Sequence, residues 1–183
     1  MNKTAVIGLL LALGGCASQS CDEPWSGSTC RAERLLQQND LLQAKILVMV
    51  GDEDGHELAQ ALLERSARLD RHGETDLYQA LLLIRREQPP AEVLRRLEKA
   101  AARRHPHAIA LLYKIHHEPY LIEQPDSAKA AHYRAAYAEL DVARSGYPSF
   151  GKALQLVDRL VAAPQALAGG EVPCSGECPE QGR

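Results

Sequence analysis

Five histidines, His105, His107, His116, His117 and His132, with Glu118 beside them, form the densest set of metal-ligating and acid-base side chains in the sequence. A metal ion needs several such ligands within one small sphere. His107 and His116 would lie on one helix, where 1.5 Å per residue separates them by about 13 Å, so they cannot share an ion. A site built from His116 or His117 with Glu118 and His132 of a neighbouring helix is the remaining metal-binding or enzymatic reading, and it ranks last. The sequence contains no Gly-x-Ser-x-Gly, HExxH, phosphate-binding loop or dinucleotide fingerprint. Its Ser, His and Asp residues carry no motif that joins them into a triad. No enzymatic activity, cofactor, resident metal or small-molecule substrate is expected.

Three arginine pairs, Arg85-Arg86, Arg95-Arg96 and Arg103-Arg104, could meet anionic lipid or an acidic partner. With Glu87, Glu92 and Glu98 among them, a solvated helix face is the plainer reading. The formal net charge is -3, and the first 15 residues carry Lys3 and no acid, so the remainder is more acidic still. That balance gives no reason to expect nucleic acid as a partner.

The elements that must position these side chains are helices. A single Phe and a single Trp, set against abundant Ala and Leu, favour close-packed helices over a β-sandwich. From Ala32 onward apolar residues recur with helical period and are punctuated by Gly, Pro, Asn and Asp. The pattern predicts helices near 30–38, 40–50, 56–71, 75–87, 90–104, 107–117, 127–144 and 149–162. In the helix at 107–117, Ala108, Leu111, Leu112 and Ile115 make one apolar stripe. Pro90 suits a first helical turn, and Asp126-Ser127 offers a cap for the helix that follows. Over 127–144, Ala128, Ala131, Ala135, Ala138 and Val142 fall on one side, with Tyr133, Tyr137 and Leu140 opposite. Those last three are candidates for packing between helices or, failing that, for an interface.

Leu97-Glu98-Lys99-Ala100-Ala101 is echoed by Tyr133-Arg134-Ala135-Ala136 and more faintly by Leu63-Glu64-Arg65-Ser66-Ala67, a spacing of about 35 residues that belongs to helical repeats. With Ala108, Leu111-Leu112-Tyr113, Asp126 and Lys129-Ala130, the string resembles a Sel1-like repeat, a relative of the tetratricopeptide repeat (TPR). Glu33 to Leu47, with Asn39-Asp40 at its turn, is similar to a plain tetratricopeptide hairpin. The resemblance implies an all-α fold, a short right-handed α-solenoid of antiparallel hairpins, whose stacked surface binds other proteins.

At the start of the chain, Leu13-Gly14-Gly15-Cys16 closes an apolar run behind Lys3 and resembles the lipobox of a bacterial lipoprotein. A positive n-region, an h-region of roughly 7–15 apolar residues and a small-residue cleavage site make a secretory signal, and a run this short falls below the roughly 20 residues of a membrane span. The resemblance implies cleavage before Cys16, a diacylglycerol on its thiol, an acyl chain such as palmitate on its amino group, and, with Ala17 following, sorting to the outer membrane facing the periplasm. Residues 1–15 are then a signal peptide, 16–29 a linker, 30–162 the helical repeat domain and 163–183 a Pro/Gly-rich tail. Cys21, Cys30, Cys174 and Cys178 remain as disulfide candidates in an oxidising compartment, either as local pairs or as bridges between the two ends. Cys174-Ser-Gly-Glu-Cys178 lacks the spacing of a zinc knuckle and has no histidine near it.

The implied function is protein binding in the cell envelope, as a scaffold or assembly factor for polysaccharide export or secretion. The alternative carried by the resemblance is a periplasmic immunity protein that neutralises a secreted toxin such as a phospholipase. Membrane attachment would run through the lipid on Cys16. Replacing Cys16 by Ser should therefore release the chain from the membrane fraction, and globomycin should block processing of the native chain. Membrane retention of the variant, with processing insensitive to globomycin, would contradict the anchor.

Overall fold

The computed structural model describes residues 27–146 and 148–162; Cys16, Cys21, Cys174 and Cys178 lie outside the described residues. The described elements are helices, and none of them is a strand: α1 Ser28–Val50, α2 Glu53–Ser66, α3 Glu74–Arg85, α4 Pro90–Ala102, α5 Pro106–His117, α6 Ser127–Ala138, α7 Asp141–Arg144 and α8 Phe150–Val161. The fold class is all-α. The chain divides into two units, Met1–Leu36 and Gln37–Arg183. Of the first, the described part is the start of α1, where Cys30 is buried and disulfide-bonded. No described helix is long and apolar enough to cross a membrane.

Helix starts follow local chemistry. Asp52 accepts from Gly55 N–H at 2.9 Å to begin α2, Asp126 accepts from Lys129 N–H at 3.0 Å to begin α6, and Ser149 caps α8, each satisfying an otherwise orphaned amide. Pro90 and Pro106 sit in the first turns of α4 and α5, where a missing N–H costs nothing. The stripe Ala108, Leu111, Leu112 and Ile115 is wholly buried, and it makes α5 the centre of the second unit, packed against α4, α6 and α8. Leu77 and Leu81 of α3, Val93 and Leu97 of α4, and Val157 of α8 complete the core around it.

Two expected boundaries are corrected. The chain does not turn at Asn39-Asp40: α1 runs unbroken from Ser28 to Val50, so the expected hairpin between 30–38 and 40–50 is one helix. The Asp40 carboxylate, 1% exposed, does not cap a helix start but receives Arg65 of α2 through both oxygens, one bond at 2.6 Å. Conversely, the expected helix at 127–144 breaks into α6 and α7. Leu140 leaves helical geometry (φ -76°, ψ 148°) and is buried, while Arg104 donates to the freed Glu139 carbonyl at 2.7 Å.

The start of α3 is organised by buried charge. Asp70 accepts from the N–H groups of His72, Gly73, Glu74 and Thr75 at 3.0–3.3 Å. Gly73 has φ 76°, and a Cβ on it would lie 2.8 Å from the Cα of Ala100 in α4, so both backbone sign and close approach require glycine there. Asp76, 2% exposed, receives Lys99 and Arg103 of α4 at 2.9 Å each, with Arg96 at 3.5 Å, and Arg103 also reaches Asp70 at 3.2 Å. Truncating the buried acid of such a cluster leaves its cations, which are partly exposed, without their shared hydrogen-bonded partner, typically at about 1–3 kcal/mol. Asp76→Ala should lower stability by that order in urea or thermal unfolding, and Glu92→Ala on the exposed face of α4 by well under about 1 kcal/mol. Equal losses would contradict the assignment.

Candidate functional site

The histidines separate by environment. His105 stands just before α5, and its Nδ1 accepts from Ala108 N–H at 3.4 Å, a cap that an imidazole supplies only while that nitrogen is unprotonated. His107 lies edge-on to it, ring centres 5.6 Å apart. His116, 3% exposed, stacks on Tyr133 at 5.8 Å and 13°, and neither of its ring nitrogens has a hydrogen-bond partner among the described residues. His117 instead stacks on Tyr113 at 4.9 Å, and His132 is exposed and edge-on to Tyr133. Among the described residues, no three His, Cys, Asp or Glu side chains come close enough to hold a metal ion. The set of His116 or His117 with Glu118 and His132 is not brought together.

The three arginine pairs are neither a lipid-facing stripe nor a simple solvated face. Arg85 donates to the Leu160 carbonyl at 3.0 Å and to that of Ala162, which satisfies the exposed end of α8, and Arg104 does the same for α6. Arg86 is held by Gln60 at 2.8 Å, while Arg96 and Arg103 belong to the Asp76 cluster. Arg95 pairs with Glu92 one turn away on the same face.

Tyr133, Tyr137 and Leu140 also part company. Tyr137 is 1% exposed, packs edge-on to Phe150, and donates its hydroxyl to the Pro148 carbonyl at 2.8 Å. Leu140 is buried beside it in the core cluster. Tyr133 is half-buried and lines an open cavity of about 250 Å³ between α4 and α6, together with Glu98, Ala101, Ala102, Ile109, His132 and Ala136. Across α6, Ala128, Ala131, Ala135 and Ala138 are exposed. A second cavity of about 130 Å³ opens over α3, between Gln60 and Glu64 of α2 and Glu92 and Arg96 of α4.

A different feature gave no signal in the pairing of charges. Leu42, Ile46 and Val50 project from one face of α1 at helical spacing and are 59%, 56% and 67% exposed, with Leu58 of α2 exposed as well. The sign that could have found them is an apolar residue count on α1 too high for one buried stripe.

No family model matches this chain, and neither a curated protein nor a solved structure matches it.

Burial, helped by His107 beside it, pushes the His105 imidazole down to about 4, and burial also lowers His107 and His116. The unfolded chain then binds more protons between the ordinary histidine value of 6.5 and about 4, so these groups contribute stability that is full above pH 6.5 and drains away as the pH falls towards 4. Denaturant midpoints should fall across that window. His105→Asn, whose amide can cap the helix without titrating, should flatten the slope. A variant slope identical to the native one would remove His105 from the account.

Proposed function

We propose that this chain is an outer-membrane lipoprotein anchored through Cys16, facing the periplasm, whose helices stack as a short Sel1/TPR-like right-handed solenoid and bind other envelope proteins. Its role is that of a scaffold or assembly factor rather than a catalyst. The observation that carries this reading is the exposed row Leu42, Ile46 and Val50 on α1. Contiguous apolar surface left in water is the usual mark of an interaction site. A lipid surface is the poorer match, because Asp52, Glu53, Asp54 and Glu57 follow directly at the start of α2 and would be repelled by anionic headgroups. A protein partner can meet both the apolar row and the acids beside it.

The arrangement of α2 to α6 is consistent with a repeat surface. Each helix packs on the next in sequence, α2 on α3, α3 on α4, α4 on α5 and α5 on α6, and cavities open between α2 and α4 and between α4 and α6. Grooves of that kind are where helical repeats take their ligands.

Crosslinking from a photoreactive residue at Leu42 in intact envelopes, followed by affinity capture, tests the reading. A discrete protein partner is expected, and Leu42→Asp with Ile46→Asp should cut its recovery by about tenfold, as loss of a central apolar anchor does, with little change in melting temperature. Recovery unchanged by the double variant, or crosslinks to lipid alone, would overturn the proposal.

A further inference from the structure

The cavity between α4 and α6 differs from the one over α3 in how its charge is balanced. Over α3, Glu64 and Glu92 share the lining with Arg86 and Arg96, and each cation has a partner within the protein. Between α4 and α6 neither Lys nor Arg lines the cavity among the described residues, the one basic group there is the imidazole of His132, and Glu98 makes no ion pair among those residues. Besides Glu98, Tyr133 and His132 the lining is apolar: Ala101 and Ala102 follow Glu98 on α4, Ile109 comes from α5, and Ala136 comes from α6. Tyr133 supplies an aromatic ring whose position is fixed by two neighbours, the buried His116 stacked at 13° and His132 edge-on at 69°. An unpaired carboxylate, a held aromatic ring and a bed of methyl groups together match a long side chain with an apolar stem and a flat cationic head.

We propose that this cavity receives an arginine side chain projecting from a protein partner, its stem on Ala101, Ala102 and Ala136, its guanidinium between the Glu98 carboxylate and the Tyr133 ring. The site deepens the protein-binding reading and rests on it. Arginine suits it better than lysine, because a planar, weakly hydrated guanidinium can stack on a ring and pair with a carboxylate at once, whereas an ammonium is a compact and strongly hydrated charge. Binding through one charge pair at an open site is weak by itself, so the cavity acts as one anchor of a larger contact.

The test uses the full chain in detergent micelles, with alanine methyl groups isotopically labelled and followed by NMR. The probe is the blocked peptide acetyl-Ala-Arg-Ala-amide, compared with its citrulline counterpart, which keeps the shape and loses the charge. The methyl signals of Ala101, Ala102 and Ala136 should shift with the arginine peptide and stay in place with citrulline. Glu98→Gln should weaken the arginine titration by about two- to fivefold while its melting temperature stays native, since Glu98 is exposed. Equal shifts with citrulline, a Glu98→Gln titration like the native one, shifts confined to other methyl groups, or spermidine binding at the same methyls as tightly as the peptide would each overturn the proposal. Envelope capture with the same variant separates this site from the reading beneath it. Capture unchanged in Glu98→Gln overturns the arginine site alone, whereas a native chain that captures no protein overturns the protein-binding reading with it.

Discussion

Two buried carboxylates, Asp70 and Asp76, hold the start of α3 against the length of α4, and the packing of the remaining helices follows from that junction. Asp70 occupies four successive amides that would otherwise be stranded where α3 begins, and Arg103 ties it to Asp76. Because Arg96 and Lys99 come from successive turns of α4 and Arg103 from the residue that ends it, the pair fixes both the rotation of α4 and its position along α3. Gly73 lies against Ala100 at the same crossing, so the backbones approach as closely there as the absence of a side chain allows. Exposed ion pairs contribute little; this cluster differs because its acids are shielded from water and each has more than one donor.

Once α4 is set, the turn into α5 is set with it. Arg104 adopts φ 62°, a conformation that costs a non-glycine residue about 1 kcal/mol, and its guanidinium offsets part of that by closing the end of α6. His105 then caps α5 as a neutral imidazole, and Pro106 starts the helix without wasting a donor. The basic residues of α3 and α4 are thereby consumed inside the protein, as bonds to carboxylates, amides and helix-end carbonyls. Glu98 beside Tyr133 and the exposed row Leu42, Ile46 and Val50 of α1 lack such partners among the described residues, and the proposed protein-binding role rests on them.

Much of this was legible from residues alone, and the misses have physical causes. The α5 stripe, the Pro90 turn and the Asp126 cap depend on neighbours within one or two turns, which periodicity and capping rules describe directly. Asn39-Asp40 read as a turn because Asp ordinarily favours one; its partner Arg65 is 25 residues away, and no local rule anticipates it. The break after Ala138 has no Gly or Pro to announce it and comes from burying Leu140 and from Arg104 reaching Glu139. Tyr133, Tyr137 and Leu140 share a side of one ideal helix, but Tyr133 packs at the rim, over His116 and the cavity between α4 and α6, while Tyr137 and Leu140 enter the core. The arginine pairs looked like a surface because charge runs usually are; their carbonyl and carboxylate partners lie far along the chain.

The Asp70 and Asp76 cluster, as the junction that sets α4 on α3, belongs to the most stable part of the second unit rather than decorating its surface. Native-state hydrogen exchange of the amides of Glu74 and Thr75, read against those of Leu111 and Leu112 in α5, measures this most directly. All four are expected to exchange only through the same global opening, with free energies that agree within about 1 kcal/mol and fall together in denaturant. Exchange of Glu74 and Thr75 faster by about a hundredfold or more than the α5 amides, through local fraying that denaturant leaves unaltered, would contradict it.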